Sequence, residues 1–156
     1  NELWLAAALT QPALCLLEPE HLAATVAALL CPETLNRGSV WCKYSSSPEV
    51  EEAIFQIEPA RQRLQMVQEQ VGIDTDVSVD IRLCGLVEAW ACGTDWTQLM
   101  ADTDLDEGDA VRVLRRTADF LSQMKLVEGL PESLVGKANI AAKLVDRAPI
   151  ADMILN

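Results

Sequence analysis

Between Asp109 and Met124 the apolar residues Val111, Leu114, Ala118, Leu121 and Met124 return at helical intervals. Over the same stretch Arg112, Arg116, Asp119 and Gln123 follow i, i+4, i+7, i+11 spacing on another face. A period near 3.6 separates two such sets cleanly, so the segment predicts an amphipathic α-helix with a polar seam on its outer side. Any fold open to this chain must bury one side of that helix and leave the seam free or paired.

The rest of the chain supplies partners of the same kind. Aromatic residues make up 4% of the 156 residues while Ala, Leu and Val abound, which favours helix over strand. With a hydrophobic fraction of 50%, enough apolar surface exists for one real core, so a single domain over residues 1–156 is expected. The fold class predicted is all-α, a bundle of about seven helices. No apolar run reaches the roughly 18 residues a membrane span needs, and the longest candidate, Leu22 to Cys31, is interrupted by Thr25. A soluble chain with no membrane partner is expected. It starts at Asn1 without Met, and Leu3 to Leu9 lacks a basic leader, which reads as a fragment of a longer polypeptide.

Turn and cap signals divide the chain. ELWLAAAL reads as a short helix ended near Pro12, and Glu18-Pro19-Glu20 opens a second through HLAATVAALL. Cys31 to Ser47 dissolves into a long loop that Trp41 and Tyr44 are expected to pin to the body. Ser47-Pro48-Glu49 starts a long helix carrying Ile54, Ile57, Leu64, Val67 and Val71, which Pro59 should break into two segments in line and Gly72 should end. After an acidic loop from Asp74 to Asp80, Leu83, Leu86, Val87 and Trp90 form a buried stripe that Gly93 stops. A short helix spans Trp96 to Met100. Thr103 or Asp104 is expected to cap the helix that carries the polar seam, with Asp106 and Glu107 three residues beyond each. The last helix follows Leu130-Pro131-Glu132, turns Leu134, Ile140, Ala141 and Leu144 inward and ends at Pro149.

Charge excludes some functions. A formal net charge of −12 and a pI near 4.4 rule out a surface that binds nucleic acid everywhere, since carboxylates repel phosphates. Any contact with RNA must be local, and Arg112, Arg115 and Arg116 form the one basic focus. Two readings of it stand: salt bridges from Arg112, Arg115 and Arg116 to the acids one turn upstream, with Glu107 or Asp109 in helical reach of Arg112, or guanidinium groups offered to the phosphates or bases of a single strand, with Asp119 accepting from a base or a ribose hydroxyl. Trp90 and Trp96 are read as core more readily than as stacking platforms.

Chemistry of other kinds has little to build on. There is no G-x-x-x-x-G-K-[ST] phosphate loop, no G-x-G-x-x-G and no H-E-x-x-H, so this chain alone is expected neither to hydrolyse ATP nor to hold a cofactor. Five cysteines without a C-x-x-C pair and a lone His21 make no zinc framework. They read as buried free thiols in a reducing compartment and a structural histidine. The acids Asp102, Asp104, Asp106, Glu107 and Asp109 lack the register and central Gly of a calcium loop and read as helix capping.

The string from Val87 to Met124, with VEAWACG, DWTQLMADTDLDEGD and AVRVLRRTADFLSQM, resembles the DSHCT domain that closes superkiller-type and HelY-like DExH-box RNA helicases. Weaker similarity covers LWLAAAL, EPEHLAATVAALL and Ala138 to Ile150. The resemblance implies that the Arg-bearing helix is a long central ratchet helix facing an RNA channel, with Arg116 and Asp119 as the channel pair and Arg112 and Arg115 beside them. Family members often carry Glu at the position of Asp119, a longer reach than this sequence provides. The resemblance further implies single-stranded RNA and RecA-like helicase domains as partners, possible RNA-processing proteins, and ATP and magnesium in the parent chain rather than here. LRRTADFLSQM and VDRAPIADM look like the cyanobacterial and plastid branch, which implies a chloroplast location and organelle RNA processing. The competing reading is a helical adaptor that docks protein partners through its acidic surface and never touches RNA.

Overall fold

The computed structural model describes residues 2–30, 39–75 and 77–153, and in them seven α-helices carry the fold. These are α1 (Glu2–Leu9), α2 (Pro19–Leu30), α3 (Pro48–Gln70), α4 (Cys84–Ala91), α5 (Trp96–Ala101), α6 (Glu107–Gln123) and α7 (Glu132–Val145). Among the described residues the one β-type pairing is an isolated antiparallel bridge between Cys42 and Thr103. None of the helices is long and apolar enough to cross a membrane.

The most enclosed element is α2, which packs on α3, α4, α6 and α7. Its run of Ala and Leu explains the position, because small side chains let neighbours approach from every side. Thr25 is fully buried there, and its hydroxyl donates to the His21 carbonyl one turn back at 2.9 Å, which removes the cost of an unpaired polar group. The helix with the polar seam, α6, lies beside this hub rather than at the centre. It buries Ala110, Val113, Leu114, Thr117, Ala118 and Leu121 against α2 and α7.

Four local expectations change. Pro59 does not divide α3, which runs unbroken from Pro48 to Gln70. Pro59 and Phe55 are both exposed, so the helical bond that the proline forgoes is lost on the outer side of α3 rather than in the core. Val67 and Val71 also point outward, at 55% and 63% exposure, since beyond Ala60 this helix has only Gln68 turned fully inward. In α7 the inward set is Leu134, Ala138, Ala141, Ala142 and Val145, while Ile140, two residues past Ala138 and so on the far side of the turn, is 52% exposed and Leu144 is half-buried. That helix ends at Val145, and a short 3-10 turn, Ile150–Asp152, follows.

Capping follows the aspartates. Asp95 accepts from the Thr97 and Gln98 amides at the head of α5, and Asp106, not Thr103 or Asp104, caps α6 by accepting from the Asp109 amide at 2.9 Å. Thr103 and Asp104 instead hold the incoming loop. The Thr103 hydroxyl donates to the Trp41 carbonyl at 2.8 Å, and the Trp41 amide donates to Asp104 Oδ1 at 2.8 Å. The loop is thus pinned by the backbone of Trp41, whose ring stays 57% exposed, and by the side chain of Tyr44. Residues 31–38 of the expected loop lie outside the described residues. Ser47 stands at the N-cap position of α3, but its hydroxyl lies 3.1 Å from His21 Nδ1, and its amide donates to Glu88 Oε2 at 3.0 Å. His21 Nδ1 also meets Glu88 Oε1 at 3.0 Å, so this trio joins α2, the head of α3 and α4, a structural use of the histidine.

Gly85 shows how closely the loop is held. A methyl group there would sit 2.2 Å from the Tyr44 carbonyl oxygen and 2.6 Å from its carbon. Both are backbone atoms between two anchored points, so neither side can yield cheaply. Gly85→Ala is expected to destabilise the domain by about 1–3 kcal/mol, the usual cost of overpacking, with a chemical-denaturation midpoint that moves accordingly. An unchanged midpoint would show that the loop is not fixed against α4.

Candidate nucleic-acid interface

The candidate seam stands on a rigid rod. The first turn of α6 carries Glu107 and Asp109 where the helix dipole favours anions, and its inner face is anchored in the core. Arg112 is exposed and paired, with Nη1 donating to Asp109 Oδ1 at 2.9 Å, which bears out the salt-bridge reading for this residue. Glu107, the other possible partner, accepts instead from Trp96 Nε1 at 2.7 Å. Arg115 is half-buried and donates from Nη1 to the Met153 carbonyl, tying the C-terminal turn to α6. Arg116 and Asp119 are exposed, stand one helical turn apart and form no ion pair with each other. Among the described residues neither side chain has a hydrogen-bonding or ionic partner, and the Asp119 backbone carbonyl accepts from Ser122 at 2.8 Å.

Asp119 also lines a groove of about 490 Å³ between α6 and α7. Its α6 side presents Asp119, Ser122 and, just beyond the helix, Lys125. The facing side presents Asn139, Lys143 and Asp146. Sequence reasoning missed this second wall. Asn139, Lys143 and Asp146 repeat at i, i+4, i+7 on one face of α7, a signal of a polar face, but nothing in a linear pattern says which helix that face meets.

The acidic run is spoken for. Asp102 accepts from the Tyr44 hydroxyl at 2.6 Å and from Gln98 at 2.9 Å, Asp104 holds Trp41, Asp106 caps α6 and Asp109 pairs with Arg112. The Tyr44 bond comes first among the causes that hold the Asp102 carboxyl below its ordinary value of 3.8, and it pushes the phenol up to about 12, so Tyr44 stays a donor. A carboxylate depressed in the folded state stabilises the fold above its ordinary pKa and loses that contribution as pH falls through the depressed one. Tyr44→Phe is therefore expected to narrow the difference in melting temperature between neutral and strongly acidic buffer. Equal acid sensitivity of the two proteins would rule out the clamp.

Trp90 is core, as expected. It is fully buried, its Nε1 donates to the Val145 carbonyl at 2.8 Å, and it meets Trp96 edge to face at 5.5 Å between centroids. Arg147, a residue the sequence did not flag, lies with its guanidinium carbon 3.3 Å from the Trp90 ring centroid and donates to the carbonyls of Trp90 and Thr94 at 2.9 and 2.6 Å. The Trp90 carbonyl lies in the last turn of α4, where a cation is favoured, and burial pulls the guanidinium below its ordinary pKa. Gly93, at φ +101°, supplies the left-handed turn there, with the Thr94 amide donating to the Ala89 carbonyl. Of the described cysteines only Cys84 is buried. Cys15 and Cys42 are half-buried, and Cys92 is exposed because it falls at the open end of α4.

The described residues thus form an all-helical domain whose basic seam, on α6, is paired in part. Among the described residues no three or more His, Cys, Asp or Glu side chains come together in a group that could hold a metal ion. The chain belongs to the DSHCT (NUC185) domain family, whose model matches residues 1–152. It is 35% identical, over 157 residues, to the DExH-box ATP-dependent RNA helicase DExH15, chloroplastic, of Arabidopsis thaliana. That match covers 98% of this chain and 13% of the relative, so the chain spans a small part of the relative's length.

Proposed function

We propose that this domain is a non-catalytic module of an ATP-dependent RNA helicase that lines the RNA channel and supports strand passage. The observation that carries the reading is the pair Arg116 and Asp119, a guanidinium and a carboxylate without partners among the described residues, one turn apart on a helix whose other side is fixed in the core. The guanidinium can donate to successive phosphates or lie against a base, and the carboxylate can accept from a ribose hydroxyl. A net charge of −12 repels phosphate from the remaining surface and confines the strand to this seam. Arg112 and Arg115 flank the contact, Arg112 by exchanging Asp109 for a phosphate and Arg115 by holding the C-terminal turn. ATP hydrolysis with magnesium belongs to RecA-like domains of the parent chain. The chloroplastic relative favours a plastid location.

The apolar side chains that α3 leaves exposed, Phe55, Met66, Val67 and Val71, favour a docking role as well. In a helicase, that face is where other domains of the same chain would pack. The test of the RNA reading is duplex unwinding by the full-length helicase carrying Arg116→Glu. Unwinding equal to the parent would leave the adaptor as the surviving reading.

A further inference from the structure

We propose that the strand is held in the groove between α6 and α7, so that Lys143 and Asn139 of α7, with Lys125, are RNA contacts in their own right. The inference rests on the RNA-guiding reading and extends it to a second helix. Its first support is the distribution of free cations. Lys43, Arg61, Arg82 and Arg112 sit in ion pairs, and Lys137, Arg115 and Arg147 donate to backbone carbonyls. Among the described residues Arg63, Arg116, Lys125 and Lys143 are left without a partner. Lys125 and Lys143 line this groove, and Arg116 stands one turn from Asp119 at its edge.

The second support is the mixture of groups. The groove sets two ammonium groups beside the carboxylates Asp119 and Asp146, the amide of Asn139 and the hydroxyl of Ser122, and neither lysine pairs with either aspartate. A bare anion site would exclude carboxylates. A ribonucleotide strand offers phosphates to the lysines and 2′-hydroxyls, both donor and acceptor, to Asp119 and Asn139. A volume of about 490 Å³ accommodates a nucleotide-sized group. The groove thus selects ribose over deoxyribose while the lysines grip the backbone without regard to sequence.

The experiment is equilibrium binding of fluorescent single-stranded RNA, and of DNA of the same sequence, to the full-length helicase over a salt series. Lys143→Glu is expected to weaken RNA binding about tenfold and to lower the slope of log affinity against log salt by about one. Asn139→Ala is expected to shrink the ratio of RNA to DNA affinity. Arg63→Glu, an exposed cation on α3, is expected to leave both readings at the parent value. Lys143 and Asn139 are exposed, so a melting curve matching the parent separates lost contact from lost fold. If Arg116→Glu weakens binding while Lys143→Glu and Asn139→Ala do not, the groove proposal fails and the seam reading survives. Parent-like binding by all three overturns both, and a loss for Lys143→Glu no larger than that for Arg63→Glu overturns the groove alone.

Discussion

Full-length helicase carrying Arg116→Glu is expected to unwind a tailed RNA duplex at least about tenfold more slowly than the parent, while its RNA-free ATPase rate stays within about twofold. A hydrogen bond to a charged group is worth roughly 1.5–3 kcal/mol, and each 1.4 kcal/mol is a factor of ten, so the lost contact alone accounts for the effect. Reversing the charge adds repulsion from the phosphate. The fold should be indifferent to the change: Arg116 is exposed and has no hydrogen-bonding or ionic partner among the described residues, and a glutamate there stands four residues from Arg112, within ion-pair reach. Separation of the two rates identifies a strand contact. A parallel fall in RNA-free ATPase would mean that α6 acts on the motor through packing instead.

Trp90→Ala is expected to cost about 3–5 kcal/mol, the range for a buried Trp replaced by Ala. Several losses combine at one site. The ring is fully buried where α4 meets α7, the Val145 carbonyl loses the Nε1 donor and keeps only the Arg147 amide, Trp96 loses its edge contact, and Arg147 loses the face it lies on. For a domain of this size each kcal/mol moves the melting temperature by about 2–4 °C, so a fall of roughly 6–20 °C should be read by circular dichroism. Trp90→Phe keeps much of the volume and should show a clearly smaller fall. A drop of only a degree or two for Trp90→Ala would mean that the ring is not part of the core.

The helices were legible where one side of the pattern was apolar and the ends carried Pro, Asp or Gly. Pro19 opens α2, Gly93 closes α4, and the stripe through Leu114 and Leu121 defines α6. Errors arose where local rules compete with tertiary context. Pro59 should end a helix, yet its place on the exposed side of α3 makes its cost tolerable. Thr103 and Asp104 fit a capping pattern, yet the loop at Trp41 claims both, leaving Asp106 to cap. Ile140 looked like core because it is apolar, although its helical phase puts it opposite Ala138. The seam on α6 was readable because a single helix sets its spacing. The wall formed by Asn139 and Lys143 was not, because it exists only where two helices meet, and the same holds for Arg115 and its bond to residue 153.

The hub position of α2 bears on how force travels. This helix touches α3, α4, α6 and α7 at once, and its small side chains leave no compliant layer between them. Under the proposed function, a strand that pushes on Arg116 would therefore meet a body with the stiffness of the entire bundle, not a helix free to bend. The displacement would then reappear at whatever surface anchors the bundle, and the domain would work as a lever with α2 as its spine.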